Sequence, residues 1–207
     1  MSKGKFVTIE GCEGVGKTTQ VELLKKRFAG RGDVLFLREP GGTPISERIR
    51  GVILDVNNGE MCGTCEVLLY SAARAQLVEQ VIKPALDRGV TVICDRFTDS
   101  TLAYQGYARG LGADTVETLS SIACAGLTPD VTVFLDLDPA AAFSRKGGAD
   151  KSDRLEQEGM EFHSRVYEGY KLIAQKYPER VVCIPAGGNV EQVHKSVMDM
   201  LEERGIL

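Results

Sequence analysis

The sequence contains no apolar run of about 18 residues, the length that a helix needs to cross a membrane. Its first residues, MSKGKFVTIEG, enter a short apolar strand and lack the longer apolar core and the small-residue cleavage site of a signal peptide. Acidic residues outnumber basic ones, and the resulting net charge of -4 argues against broad nucleic-acid binding. These absences predict a cytoplasmic protein with neither a membrane nor a nucleic acid as its partner.

Metal-binding motifs are also scarce. Among six cysteines, Cys62 and Cys65 have the C-x-x-C spacing, and no second C-x-x-C or H-x-H motif completes the four ligands of a structural zinc site. A redox pair, or a metal site shared between subunits, stays open for them beside the simpler interpretation of two reduced surface thiols. His163 and His194 lie in polar helical stretches, and we expect both on the surface rather than in catalysis.

Short apolar runs rich in valine, isoleucine, leucine and phenylalanine alternate with longer segments of helical spacing, which is typical of parallel strands covered on both faces. We predict strands at 5–10, 33–38, 90–95, 131–136 and 180–185. We predict helices at 18–31, 44–54, 65–88, 114–125, 153–176 and 189–204, with Pro84 kinking or ending the third. The alternation predicts an α/β fold, with a five-stranded parallel sheet flanked by helices in three layers and a single domain over residues 1–207.

The first predicted strand runs into GCEGVGKT, residues 11–18, which matches the phosphate-binding motif G-x-x-x-x-G-K-[ST]. Glycines permit positive φ angles and close backbone approach, so that several N–H groups point at phosphate oxygens, and the following helix adds its N-terminal dipole. Lys17 is expected to reach the β- and γ-phosphates, and Thr18 to ligate Mg²⁺. The predicted nucleotide-binding residues are Gly11, Gly14, Val15, Gly16, Lys17, Thr18 and Thr19.

This loop predicts a P-loop NTPase fold, which switches, motors and small-molecule kinases share. The chain has no N-K-x-D tetrapeptide, the base-reading motif of GTPase switches, and a motor or larger ATPase would need a longer chain. A small-molecule kinase remains, and its acceptor must be inferred from other segments.

Four further segments carry a resemblance over nearly the whole chain. They are REPGGT at 38–43, ERIRGVILD at 47–55, LLYSAARAQ at 68–76 and DRFTDSTLAYQG at 95–106. With the P-loop, and in this order, they resemble the bacterial thymidylate kinases, P-loop nucleoside monophosphate kinases that transfer the γ-phosphoryl group of ATP to dTMP and give dTDP and ADP. The resemblance implies ATP and Mg²⁺ as cofactors, dTMP as the second substrate, and a homodimer formed through helices such as 65–88 and 114–125.

Residue by residue, the resemblance implies an acceptor site. Glu13 would accept the 3′-hydroxyl group of the deoxyribose, and Tyr70 would stack on the thymine ring, where the family usually has phenylalanine. Arg74 would donate to a thymine carbonyl oxygen, and Tyr104 would crowd the 2′ carbon of the sugar. The remaining members are Ser100 and Thr101 at the polar edge of the base, Gln105 beside the base, Pro40, and the phosphate-binding residues Arg38, Arg50 and Arg96.

Several of these roles also have a physical argument. Tyr70 and Arg74 are four residues apart and share a helix face, so they could grip one planar base or form an ordinary helix surface. Arg96, at the end of a strand, suits bidentate phosphate binding, with a structural salt bridge as the alternative. Asp95 could place the metal or be a structural carboxylate. Glu10 could orient Lys17 or a basic neighbour, or simply end its strand.

The segment at 141–159 occupies the position of the family's mobile lid. We expect Arg145 to be the catalytic lid cation beside Lys17 and Arg96, with Lys146, Lys151 or Arg154 assisting; a solvated charge cluster would explain Lys151 equally well. No general base is needed, because the acceptor is already an anionic phosphate oxygen.

Two other functions stay open. A related kinase would phosphorylate dUMP or another nucleotide, and a nucleotide-bound regulatory module would transfer nothing. The acceptor-side residues that accompany the P-loop argue against the second.

Overall fold

The computed structural model describes residues 3–147 and 153–206. Five strands form one parallel sheet with the order β2-β3-β1-β4-β5. They are β1 (Phe6–Glu10), β2 (Val34–Arg38), β3 (Thr91–Asp95), β4 (Val131–Asp136) and β5 (Val181–Pro185). Each lies within one residue of its predicted bounds, and the five-stranded parallel sheet flanked by helices confirms the predicted fold class.

Helices occupy most of the connections. They are α1 (Lys17–Arg27), α2 (Pro44–Leu54), α3 (Gly63–Leu77), α4 (Lys83–Asp87), α5 (Thr98–Thr101), α6 (Ala113–Ala123), α7 (Pro139–Lys146), α8 (Met160–Lys176) and α9 (Val190–Glu203). Two π-helical segments, Val78–Ile82 and Leu102–Ala108, continue α3 and α5. Among the described residues, no helix is both long and apolar enough to cross a membrane.

The sheet is covered on both faces because alternate strand residues point in opposite directions. Val7 and Ile9 of β1 belong to the apolar cluster that includes side chains of α1, α8 and α9. Phe6, on the same strand, belongs to the cluster that includes Leu77 and Leu86 on the α3 side. This two-sided burial explains why the strand sequences are almost continuously apolar.

The helix that carries Pro84 does not end there. The N–H group of Lys83 bonds to the carbonyl of Val78, five residues earlier, and the helix continues to Asp87. Proline lacks an N–H group and its ring clashes with the carbonyl four residues before it in a regular helix. The wider π turn directly before Pro84 accommodates both effects, which the sequence pattern did not indicate.

The last long helices also differ from expectation. The segment predicted as one helix from 153 begins its helix only at Met160, after Gly159 as the N-cap residue. Helix α7 was not predicted, although Asp138 caps it through its carboxylate and a proline occupies its first turn. The π segment Leu102–Ala108 was also missed, and it carries Tyr104 and Gln105 of the predicted acceptor site.

Candidate active site

A cavity of about 500 Å³ opens at the carboxyl edge of the sheet. This edge is where open α/β sheets gather their ligands, because the loops after neighbouring strands converge there. Every residue predicted to bind the nucleotide, the acceptor or the metal lines the cavity except Gly11 and Val15, and Arg145 lines it as well. The sequence did not single out five other lining residues: Glu39, Leu54, Asp153, Leu155 and Glu156.

The P-loop is folded around its own lysine. Gly16, with φ 99°, is the N-cap residue of α1, and Gly11 lies so close to the backbone that a Cβ atom there would be 2.9 Å from the carbonyl oxygen of Leu135. The buried Lys17 donates from Nζ to the carbonyl oxygens of Gly11 (2.9 Å) and Cys12 (2.6 Å). Burial, and then the charge of Arg96, lowers the pKa of Lys17. The charged form of Lys17 is thus penalised in this position, and an anion bound beside it would raise the pKa again.

Arg96 joins the P-loop to the loop after β3. Its guanidinium forms an ion pair with Glu13 and donates to the carbonyl oxygen of Gly11 at 3.2 Å. The same group lies over the ring of Tyr104, with 5.3 Å between Cζ and the ring centroid, and the Tyr104 hydroxyl donates to Glu13 at 3.1 Å. The structure thus brings together three residues that the sequence assigned to acceptor binding.

Two further arginines converge on the loop after β2. Arg38 and Arg50 both donate to the carbonyl oxygen of Pro40, at 2.9 and 3.0 Å, and Arg38 also pairs with Glu47 at 3.0 Å. Burial, and then the neighbouring charge of Arg38, lowers the pKa of Arg50. Two cations held close together at the rim of a cavity create a local excess of positive charge that an anionic ligand would offset.

Arg74 of α3 lies fully buried beneath the acceptor side of the cavity. Its Nε donates to Glu39 at 2.7 Å, and its Nη2 donates to the Phe97 carbonyl oxygen (3.0 Å) and the Thr101 hydroxyl (2.9 Å). Its Nη1 has no hydrogen-bond partner among the described residues. A buried donor without a partner is costly, so this group is available to a ligand acceptor. Glu39, which fixes Arg74, was missed although it lies inside the REPGGT segment.

Glu66 gathers three donors beside the acceptor site. The fully buried carboxylate accepts from Arg154 (2.6 Å), Gln105 (2.7 Å) and Arg109 (3.2 Å). Arg154 also donates to the Ile53 carbonyl oxygen at 3.0 Å. In this structure Arg154 joins the end of the segment at 141–159 to α3 and does not line the cavity. Its expected role of assisting Arg145 stays a prediction. The sequence signal for Glu66 was its position four residues before Tyr70, on the same face of α3.

Arg145 lies at the other side of the cavity. It is the penultimate residue of α7 and donates to the carbonyl oxygens of Ala186 (2.9 Å) and Gly187 (3.3 Å) after β5. Lys151 lies outside the described residues. The catalytic role of Arg145 stays a prediction.

Thr18 and Asp95 both line the cavity and fit the predicted metal site. Asp95 Oδ1 is buried and has no hydrogen-bond partner among the described residues, which leaves a carboxylate oxygen for a cation or its water. No group of three or more histidine, cysteine, aspartate or glutamate side chains suited to a metal occurs in the described part of the chain. A hydroxyl and a carboxylate oxygen are ligand types that Mg²⁺ accepts beside its waters and substrate phosphates.

The two histidines differ in their environments. His163 is buried on α8 between the rings of Phe143 and Phe162, with centroid distances of 4.8 and 5.6 Å, so the prediction of a surface residue was wrong. It packs there because one face of α8 is apolar and meets α7. His194 is partly exposed and contacts Gln20 at 3.0 Å, outside the cavity.

Cys62 and Cys65 are exposed and not bonded to each other. This agrees with the interpretation of surface thiols.

Comparison with known proteins agrees with this geometry. The family model described as thymidylate kinase matches residues 9–197. A thymidylate kinase of Caldanaerobacter subterraneus subsp. tengcongensis is 48% identical, with 97% of this chain and 96% of the relative covered. A crystal structure of thymidylate kinase from Ehrlichia chaffeensis has a TM-score of 0.79 and 33% identity, with 97% of this chain and 99% of that chain covered.

The chain belongs to the thymidylate kinase family. Another thymidylate kinase, from Thermoanaerobacter sp., is 44% identical over 97% of this chain and 98% of its own length. The resemblance inferred from the sequence motifs is thereby confirmed, and with it the expectation of a nucleoside monophosphate kinase. The roles of the individual residues stay predictions.

We predict that Glu66→Gln weakens the fold by about 3 kcal/mol, because it leaves the buried Arg154 without a counter-charge. Arg109 is partly exposed and keeps its ion pair with Glu158. Burial alone would raise the pKa of Glu66, and the donors Gln105 and Arg109 outweigh burial and lower it. Its contribution is therefore complete above the ordinary carboxylate pKa and is lost as pH falls through the lowered value.

Urea unfolding, monitored by circular dichroism at pH values from about 3 to about 7, measures this effect. Carboxylates titrate in roughly this range. The matched control is Glu161→Gln, which removes an exposed i,i+4 partner of Arg165 and should cost under about 1 kcal/mol. Equal losses in the two variants would contradict the anchoring role of Glu66.

Proposed function

We propose that this thymidylate kinase transfers the γ-phosphoryl group of ATP to dTMP inside the cavity, giving dTDP and ADP. The observation that carries the proposal is the position of Lys17 and Arg96. They extend from loops after adjacent strands and face one cavity, with a phosphate-binding loop on one side and the acceptor residues on the other. Two anionic substrates need such a group of cations to approach each other.

The nucleotide side would hold ATP through the P-loop. Backbone N–H groups between Gly11 and Thr19 would surround its phosphates, and Lys17 would exchange its carbonyl partners for phosphate oxygens. Thr18 and Asp95 would hold Mg²⁺, which when bound offsets phosphate charge. Those two carbonyl oxygens aim the lysine at the interior of the loop.

The acceptor side would hold dTMP through side chains that line the other part of the cavity. Arg96, Arg38 and Arg50 would bind its phosphate, and Tyr70 would stack on the base. The free Nη1 of Arg74 supports a hydrogen bond to a base carbonyl oxygen.

The other polar residues of the acceptor side have hydrogen-bond partners within the protein. Glu13 and Tyr104, bound to each other, would contact the 3′ and 2′ positions of the sugar. The hydroxyl of Ser100 is bound to Glu10 and Arg96, and that of Thr101 accepts from Arg74. Their proposed contact with the base, like that of Gln105, therefore involves groups with protein partners.

The chemical step forms a bond between an acceptor phosphate oxygen and the γ-phosphorus, and breaks the bond from that phosphorus to the β–γ bridging oxygen. The protein contributes position and positive charge rather than a general base, since the acceptor oxygen is already anionic. Arg145 would leave the Ala186 and Gly187 carbonyl oxygens and approach the transferring group as the lid closes.

We further propose a cytoplasmic homodimer formed through α3 and α6. Leu68 on α3 and Ile122 on α6 are exposed by 50% and 74%, which a partner face would cover. Sedimentation at the mass of one chain at micromolar concentration would refute the dimer.

The first test is ADP formation from MgATP with dTMP, dUMP, dCMP, AMP, GMP or no acceptor. We expect strong turnover with dTMP, weaker turnover with dUMP and none without an acceptor, because the site must be completed by an acceptor phosphate. A better acceptor than dTMP would move the activity to another nucleotide kinase. ADP release that is independent of any acceptor, or its absence in every mixture, would refute the proposed transfer.

The lid cation gives the second test. We expect Arg145→Ala to lower kcat by roughly 10²–10³-fold, since one charge-stabilising group in a transition state has about this effect. Lys171→Ala is the control, because Lys171 is an exposed cation paired with Glu168 outside the cavity. Steady-state kinetics with saturating dTMP and MgATP measure both variants. If kcat of Arg145→Ala matches that of the control, another cation performs this role.

A further inference from the structure

Glu10 is a completely buried carboxylate at the end of β1, next to the P-loop. Its Oε1 accepts from the backbone N–H group of Phe97 at 2.7 Å. Its Oε2 accepts from the hydroxyls of Ser100 (2.6 Å) and Tyr170 (3.0 Å). Three donors thus converge on this carboxylate: one from the loop after β3, one from α5 and one from α8. Lys17 does not bind Glu10, because its ammonium group donates to the P-loop carbonyl oxygens.

The groups that Glu10 binds are the same ones that hold Arg96. Arg96 Nη1 donates to the Ser100 hydroxyl at 3.0 Å and to the Tyr170 hydroxyl at 3.3 Å. The two hydroxyls also lie 2.8 Å from each other. Each has one proton, so one hydroxyl can donate to the other while its partner donates to Glu10, and lone pairs on both oxygens are left for the arginine. Glu10 therefore determines which way these hydroxyls present their acceptors.

Glu10 also restrains the backbone of Arg96. Arg96 has φ 70°, a left-handed conformation that is strained for a residue with a side chain. Its own N–H group bonds to the Ile9 carbonyl oxygen at 3.0 Å, and the next N–H group, that of Phe97, bonds to Glu10. The end of β1 thus holds the strained residue from both sides of its Cα atom.

We propose that Glu10 is a positioning residue for Arg96, holding both its strained backbone and its guanidinium in the orientation that binds the acceptor phosphate. This inference rests on the phosphate-binding role proposed above for Arg96. It distinguishes between the alternatives that the sequence left open for Glu10, since the carboxylate orients a basic neighbour other than Lys17.

The electrostatics of Glu10 support a functional rather than a stabilising role. Burial, and then the nearby charge of Asp99, raises its pKa to about 7. The other charged or titratable groups around it are Arg96, Tyr170, Arg74, Arg180 and Cys94. A carboxylate whose pKa is raised by folding lowers stability as pH rises from its ordinary value to the raised one. Glu10→Gln removes this electrostatic cost at neutral pH, and it replaces one of the two acceptor oxygens with a donor NH2 group.

The test compares Glu10→Gln, Arg96→Lys and the double variant in full-length protein, with dTMP and MgATP varied separately. We expect Glu10→Gln to raise the KM for dTMP by about 10- to 100-fold, the range of one charged hydrogen bond, and to change the KM for ATP less than about 2-fold. In the double variant the two effects should be far from additive, because both act through one guanidinium. Glu161→Gln is the matched surface control.

The pH profile separates positioning from a merely structural effect. Between about pH 6 and pH 8 the KM for dTMP of the natural enzyme should include a step near the pKa of Glu10, and Glu10→Gln should lack it. The second ionisation of the substrate phosphate is common to both enzymes and cancels in the comparison. Unchanged KM for dTMP in Glu10→Gln, or additive effects in the double variant, would overturn the inference.

Two further outcomes are distinguishable. If Arg96→Lys leaves the KM for dTMP unchanged, the proposed role of Arg96 fails, and the inference fails with it, whatever Glu10→Gln does. If Glu10→Gln does not fold, Tyr170→Phe removes one bridging hydroxyl and keeps the ring. That variant should raise the KM for dTMP by about 3- to 10-fold with the KM for ATP unchanged, and no rise would overturn the inference.

Discussion

The ion pair between Arg96 and Glu13 connects the two halves of the cavity, and the rest of the site is arranged around it. Glu13 lies in the loop after β1 and Arg96 follows β3, and these strands are neighbours whose ends are in register at Ile9 and Asp95. A parallel sheet brings such loops together at one edge whatever their separation in sequence. The phosphate-binding loop and the acceptor residues therefore share one cavity.

The cations of this site are held in place by protein acceptors. Lys17 is bound to P-loop carbonyls, Arg38 and Arg50 to the Pro40 carbonyl, and Arg96 to Glu13 and the hydroxyls beside Glu10. Substrate phosphates would replace carbonyl and carboxylate oxygens as partners. Little reorganisation of the charged groups is then needed, which is the condition under which fixed charges lower a barrier most.

The sequence was sufficient for the strands and the P-loop, because both depend on local signals. Two-sided burial gives continuous apolar runs, and phosphate approach needs glycines at fixed spacing. The other features depend on contacts between residues that lie far apart in the sequence. Nothing in the sequence indicated that Arg154, expected to assist Arg145, is bound by Glu66. His163 was predicted to lie on the surface, yet Phe143 of α7 packs against it. Neither partner is visible from spacing alone, nor is the π turn that accommodates Pro84.

A crystal structure of the protein with dTMP and ADP bound tests the central claim most directly. The account predicts acceptor phosphate oxygens at hydrogen-bond distance, about 3 Å, from the Arg96 guanidinium, with φ of Arg96 still positive and Glu10 still bound to Phe97 and Ser100. An acceptor phosphate held by Arg38 and Arg50 alone, with Arg96 still paired to Glu13, would contradict it.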